Sequence, residues 1–207
     1  MAGGVGIGAD GTDGRDFVDR LGHGTAVTAA IREKALEAEL YAVKVFDSEL
    51  ATTVDRLVRG IVWAANHRMR LINLSLGTAR EAHAGVLREA VEYAASQGAL
   101  VVSARDRDGA RWLPGNLSGV AGVEVDWACD RHTCRVATSD DGATVFRASG
   151  YPRAIPGVAP ARNLQGISFA VANVTGLLAR ALEAQPKATL EDLLRTVRAA
   201  EPEQPPA

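Results

Sequence analysis

Positive charge in excess is the first thing this chain lacks. Its 207 residues carry 23 Lys and Arg against 25 Asp and Glu, a formal net charge of −2. The basic residues do not cluster. Nothing therefore favours nucleic acid or an anionic membrane as a partner. No uninterrupted apolar run reaches the roughly 18 residues needed to span a bilayer. The opening Met1-Ala2-Gly3-Gly4 has neither a basic n-region nor an apolar h-region, so a secretory signal is not expected and the chain as written belongs in the cytoplasm. Cysteine is scarce as well. Cys129 and Cys134 flank Asp130-Arg131-His132-Thr133, which leaves free thiols, a disulfide across a hairpin, or metal ligation with His132. Three soft ligands without a fourth seldom make a structural zinc site, so no metal and no cofactor is expected.

What is present describes an ordinary globular domain, 47% hydrophobic and 23% charged. One domain is expected over residues 1–200, followed by a frayed Pro- and Glu-rich tail, 201–207. Gly3 to Asp19, rich in Gly and Asp, reads as an irregular surface loop. Its Gly6-x-Gly8-x-x-Gly11 spacing formally matches a dinucleotide-binding fingerprint, which requires a strand before it and a helix directly after it. Glu39 to Phe46 reads as a strand. Thr53 caps a helix from Val54 to about His67, whose Leu57, Val58, Ile61, Val62 and Ala65 recur along one buried face. Leu71 to Gly77 is a short apolar strand. A helix from about Arg80 to Gln97 stops at Gly98, and Ala99 to Ala104 is another buried strand. Val120 to Val136 reads as a hairpin and Ala148 to Gln165 as a Pro- and Gly-rich loop. A final amphipathic helix over Leu190 to Ala199 is capped by Thr189. Strand–helix alternation implies an α/β fold with right-handed crossovers, a mostly parallel sheet and helices on both faces. Ligands bind such sheets beyond the carboxyl ends of the strands. Ser75 to Gly77 and Ser103 to Asp108 lie at two such ends.

Two short stretches carry candidate chemistry. Gly166-Ile167-Ser168-Phe169-Ala170 opens a long apolar helix with a serine in its first turn. Orphan backbone N–H groups and the positive end of the helix dipole sit there, where an oxyanion could form. The same position suits a simple N-cap. His23, between Gly22 and Gly24, is poorly placed for core packing and well placed for access.

Three stretches, in this order, resemble the subtilisin-like serine peptidases. Gly22-His23-Gly24-Thr25-Ala26-Val27 is similar to the family's G-H-G-T-x-V histidine motif. Ile72-Asn73-Leu74-Ser75-Leu76-Gly77 is similar to its cleft strand. Gly166-Ile167-Ser168-Phe169-Ala170, with Val174 and Gly176, is similar to its serine motif G-T-S-M-A and the V-x-G that follows. The resemblance covers about Ala2 to Leu182 and implies a three-layer subtilisin-like fold. It also implies hydrolysis of peptide or protein substrates, with Ser168 as nucleophile and His23 as general base. Ser75, Leu76 and Gly77 would hold the substrate backbone as an added strand. A serine hydroxyl is a weak nucleophile at neutral pH, and an imidazole must take its proton and return it to the leaving amine.

The departures are as informative as the matches. The family order is Asp, His, Ser, with the aspartate ending an early strand. No apolar strand is evident before His23, and Asp10, Asp13, Asp16 and Asp19 lack the family's context. The first strand and its aspartate are thus read as missing from residues 1–207. A start codon placed too far downstream, a truncated gene or a natural loss would each produce this. A sheet lacking an interior strand exposes apolar faces and unpaired backbone groups. Where the family has an oxyanion asparagine, this chain reads Ala104-Arg105-Asp106-Arg107-Asp108-Gly109. Arg107 is the best match to that position and Asp106 the second. A guanidinium can donate to an oxyanion, whereas an aspartate can do so only when protonated. Ala172 stands where the motif usually has proline. The leading expectation is a serine endopeptidase. Its alternative is an inactive relative that keeps the cleft and binds peptides or a protein partner.

Overall fold

The computed structural model describes residues 1–107, 109–159 and 162–200; the expected tail over 201–207 lies outside them. In chain order the elements are β1 (Gly3–Ile7), β2 (Asp13–Gly14), α1 (His23–Arg32), β3 (Tyr41–Lys44), α2 (Val54–Asn66) and β4 (Leu71–Leu74). A 3-10 turn, Glu81–His83, leads into α3 (Ala84–Ser96), then β5 (Leu100–Ala104), β6 (Asp106–Arg107) and β7 (Ala110–Arg111). The chain continues as β8 (Ala121–Val125), β9 (Cys134–Thr138), β10 (Thr144–Ala148), α4 (Ile167–Ala184) and α5 (Leu190–Ala200).

The principal sheet has five strands in the order β4-β5-β8-β10-β9. All its pairings are parallel except β9 with β10. Helices cover both faces. Leu57 and Ile61 of α2 and Leu87, Val91 and Ala94 of α3 pack with Ile72, Leu74 and Val101 on one side. Val171, Val174 and Leu178 of α4 and Leu193 of α5 pack with Val102, Val123 and Phe146 on the other. Burial on both faces explains why these strands read as continuous apolar runs. The caps are where the sequence puts them. The Arg56 amide donates to Thr53 Oγ1 at 3.3 Å, and the Asp192 amide to Thr189 Oγ1 at 3.2 Å.

Two expectations are corrected. Gly3 to Asp19 is not all loop. Gly3–Ile7 forms β1, parallel to β3 and antiparallel to β2, with Val5 and Ile7 buried. Its glycines conceal the strand but are required by close approach. A Cβ on Gly6 would lie 2.4 Å from the Asp16 carbonyl oxygen, and one on Gly4 2.7 Å from the Phe17 ring. The element after β1 is β2 rather than a helix, so the glycine spacing is no dinucleotide site. Arg59 instead binds that loop, donating to the carbonyls of Gly8 at 3.2 Å and Gly11 at 2.7 Å. Nor is Val120 to Val136 a hairpin. β10, unseen in the sequence pattern, lies between β8 and β9, and the hairpin is β9–β10. Cys129 and Cys134 are buried and remain thiols. The 18 residues of α4 are apolar enough on average to cross a membrane, although Ser168, Asn173 and Thr175 interrupt the apolar run. Half of that helix is buried against the sheet and α1, as in a core helix.

Introducing a side chain at Gly6 should force the β1 ladder apart. Gly6→Ala is expected to destabilise by about 1–3 kcal/mol, which lowers Tm by roughly 2–12 °C for a domain of this size. Gly85, whose Cβ would meet nothing within 4 Å, is the control. Gly85→Ala should leave Tm unchanged or slightly raised in the same thermal melts.

Candidate active site

The two candidate catalytic residues sit at the N-termini of two helices packed against each other. His23 is the first residue of α1, after Gly22 in the left-handed conformation at φ 78°. Ser168 is the second residue of α4, after Gly166 at φ 141°, a backbone that favours glycine. Val27, Ala30 and Ile31 of α1 interlock with Phe169 and Ala172 of α4. This brings the His23 ring to 5.9 Å, centroid to centroid, from the ring of Phe169, the residue next to Ser168.

Asp19 fixes the start of α1. Its carboxylate accepts from the amides of Leu21 and Gly22 at 2.9 Å, and from the Thr25 amide and hydroxyl at 2.7 Å. Burial pushes this carboxyl up, but the hydrogen bonds from Thr25, Leu21 and Gly22 outweigh it and hold the group below the usual aspartate range. For His23, burial favours the neutral imidazole and lowers its pKa, opposed by the negative charge of Asp19. A neutral imidazole is the form a general base requires.

Ser168 is held through the cleft strand. Its hydroxyl donates to the Ser75 carbonyl at 3.1 Å, and its own carbonyl accepts from Ser75 Oγ at 2.9 Å. Behind them, Asn73 Nδ2 donates to Ser75 Oγ at 2.9 Å and Asn73 Oδ1 lies 2.9 Å from Thr175 Oγ1. Thr175 Oγ1 is also 2.8 Å from the Val171 carbonyl, one turn back on α4. Asn73, Ser75, Ser168 and Thr175 thus form one network between β4 and α4. Sequence reading missed Asn73 and Thr175, although a polar residue inside Leu71-Ile72-Asn73-Leu74 was a visible anomaly. Among the described hydrogen bonds, none joins Ser168 to His23.

Beyond Ser75 the strand is only partly free. The Leu76 side chain packs toward Val5, Ile7 and Val45. Gly77 lies under Trp112–Leu113, where a Cβ would be 2.6 Å from the Leu113 carbonyl oxygen. Thr78 and Leu113 exchange backbone hydrogen bonds at 3.0 and 2.8 Å. Arg107 belongs by its backbone to β6, paired with Ala110 in a small hairpin; its side chain falls outside the described residues. Asn116, the nearest asparagine along that loop, spends its amide donors on the Arg105 and Trp112 carbonyls.

The four early aspartates are all locally engaged. Asp10 accepts from Thr12. Asp13 pairs with Arg59, Asp16 with Arg20 and Lys44, and Asp19 caps α1. A strand does precede His23, namely β1, but it is followed by Gly8 and Ala9 rather than a carboxylate.

Comparison with known proteins bears on the family and the fold. Residues 6–107 match the family model of the Subtilase family. Over 170 residues the chain is 32% identical to Subtilisin Savinase of Lederbergia lenta, covering 77% of this chain and 59% of that protein. The chain belongs to the subtilase family. This subtilase is also 30% identical over 183 residues to Alkaline elastase YaB of Bacillus sp. (strain YaB), covering 81% of this chain and 47% of that protein. It spans less than two thirds of the length of either relative. Among solved structures, a cold-adapted subtilisin-like serine proteinase superposes with a TM-score of 0.71 at 20% identity, covering 95% of this chain and 74% of that one. The S41 Psychrophilic Protease gives 0.69 at 24% identity, covering 94% and 74%. These likenesses establish the three-layer α/β fold of the subtilase.

The His23 environment makes a signed prediction. In an NMR titration its ring should protonate at a midpoint below the ordinary imidazole value near 6.5. Removing the nearby negative charge with Asp19→Asn should move that midpoint lower still, because the imidazolium loses its one favourable neighbour. The same substitution weakens the α1 cap, with an expected loss of about 1 kcal/mol in denaturant unfolding.

Proposed function

We propose that this subtilase is a serine endopeptidase, with Ser168 as nucleophile and His23 as general base. The observation that supports this reading is the α1–α4 packing, with the His23 ring 5.9 Å from that of Phe169, the residue after Ser168 at a helix N-terminus. Attack proceeds from Ser168 Oγ on the scissile carbonyl, while His23 takes the hydroxyl proton and later delivers it to the leaving amine. The first-turn amides of α4 face the developing oxyanion, with Arg107 as the proposed side-chain donor. The backbone of Ser75, Leu76 and Gly77 aligns the substrate as an added strand. For the proton to reach His23, the Ser168 hydroxyl must first turn away from the Ser75 carbonyl.

A second reading is an inactive relative that binds peptides without cutting. It is favoured by the Ser168 hydroxyl's bond to Ser75 and by the local engagement of all four early aspartates. Loss of the triad aspartate in subtilisin lowers turnover by roughly 3 × 10⁴-fold. The chain of residues 1–207 alone is accordingly expected to turn over slowly.

Labelling by a fluorophosphonate probe separates the two. Stoichiometric labelling that disappears in Ser168→Ala, and falls steeply in His23→Ala, is expected for the peptidase. Peptide binding with no labelling and no cleavage would establish the binding module instead. The acid limb of labelling against pH should lie below about 6.5, since a depressed His23 pKa keeps the base neutral further into acid.

A further inference from the structure

We propose, on the reading of Ser168 as nucleophile, that Asn173 positions the turn carrying it, by holding from inside α4 the segment that anchors Gly166. Asn173 is fully buried and lies five residues after Ser168 on α4. A helix turns about 100° per residue, so Thr175 returns to the face of Ser168 while Asn173 lies roughly 140° round from it. That other face meets the chain just after β10. Asn173 Nδ2 donates to the Ser149 carbonyl at 2.8 Å and to the Tyr151 carbonyl at 3.1 Å. Gly150, between them, accepts from the Gly166 amide at 2.9 Å, and the Gly166 carbonyl accepts from the Phe169 amide at 3.0 Å. Asn173, Ser149 to Tyr151, Gly166 and the first turn of α4 thereby close one hydrogen-bonded ring that contains the serine.

The turn needs this outside anchor because α4 has no side-chain cap. Its N-cap, Gly166, stands at φ 141° and ψ 179°, a backbone that favours glycine. A Cβ there would meet nothing within 4 Å, so conformation rather than crowding selects the glycine. An Asp or Ser cap would fix the helix start but would occupy first-turn amides, the donors that an oxyanion requires. The bond to Gly150 fixes the turn without placing a side chain over them. Gly150 is confined in its turn by Trp127, whose ring would lie 2.6 Å from a Cβ at that position. The polar atoms of Asn173 agree with this role. Both groups that face its amide nitrogen are carbonyl oxygens, so the structure uses its donor end. Its Oδ1 is buried with no hydrogen-bond partner among the described residues, which costs stability. An aliphatic residue would avoid that cost but could not hold two carbonyls. Donation, not packing, accounts for an asparagine here.

Amide exchange and fluorophosphonate labelling of the full chain test the clamp. Asn173→Ala and Asn173→Val both lack the donors, and the valine keeps the space filled while removing the orphan acceptor. Either suffices if the other fails to fold. Each should speed exchange at the Gly166 and Phe169 amides about tenfold to a hundredfold beyond any change in β4 and β5. Well below Tm, the maximum labelling rate should fall about tenfold to a hundredfold, as for a misplaced reacting group, while the probe concentration giving half that rate stays nearly constant. Leu182→Ala, in the core-facing last turn of α4, is the control for stability alone. It should lower Tm and leave both Gly166 exchange and the labelling rate of the folded protein unchanged. Unaltered exchange at Gly166 in both Asn173 variants would overturn the proposal. So would faster exchange with an unaltered labelling rate, which would make Asn173 a purely structural residue. A parent chain that resists labelling altogether counts against Ser168 as nucleophile instead, and exchange at Gly166 and Phe169 then decides the clamp by itself.

Discussion

The contact between α1 and α4 is the constraint on which the site depends. It is built from small and medium apolar side chains, Val27, Ala30 and Ile31 against Phe169 and Ala172, and it tolerates no bulk. A Cβ on Gly176 would lie 2.9 Å from the Ile31 carbonyl oxygen and 3.1 Å from the Lys34 side chain. Close packing of this kind fixes helix position to within fractions of an ångström, because interiors have few voids and respond to single methylene changes. Both candidate catalytic residues sit at the same ends of these helices. Their separation in sequence is therefore irrelevant to their encounter. A serine and a histidine on mobile loops would have to be ordered at each encounter, whereas here core packing has already ordered them.

A second interaction determines how Ser168 rests. The Asn73–Ser75–Ser168 chain joins β4 to the first turn of α4, and Thr175 approaches Asn73 from the next turns of the same helix. The network is part-buried, and each of its polar atoms that is withdrawn from water needs a partner, since an unpaired one loses its hydration without return. The network therefore fixes the register of α4 on the sheet as well as the orientation of the serine backbone. It also directs the Ser168 hydroxyl to the Ser75 carbonyl, so the side chain as well as the backbone of this serine rests on the cleft strand.

Much of this was legible in the sequence, for physical reasons that also explain the failures. α2 was read to within a residue or so because its apolar period and the Thr53 cap agree. The parallel strands β4 and β5 were legible because burial on both faces makes them uninterrupted apolar runs. β1 escaped because the residues that let Phe17 and Asp16 lie against it are glycines, and glycine signals loop more often than close contact. β10 escaped because pairing order is not a local property. Nothing near Thr144-Val145-Phe146 in sequence says that this segment inserts between β8 and β9. Asp19 was noted only as an aspartate out of context. Its role as the cap of α1 needed the fold, since its partner Thr25 lies six residues on and beyond a left-handed glycine. The serine and histidine motifs could be read because each sits at a helix start with its own local grammar of glycines.

The open sheet sets the balance between stability and chemistry. With β3 and β4 each paired on one side, the β1–β3 unit is held mainly by side chains: Val5, Ile7 and Val45 against Trp63 and Leu76, and the buried Arg56, which donates to the Ile7 carbonyl at 2.8 Å and pairs with Asp47. Elements with few backbone bonds to the main body open at lower free energy than the core they lean on. α1 connects β2 to β3 and carries His23, but its packing on α4 ties it to the main body as well. Ser168 therefore belongs to the helix that packs on the main sheet, and His23 to one that is held to it through α4. The two halves are joined across the sheet gap by side-chain packing rather than by backbone hydrogen bonds, and the α1–α4 contact is the part of that packing that relates His23 to Ser168.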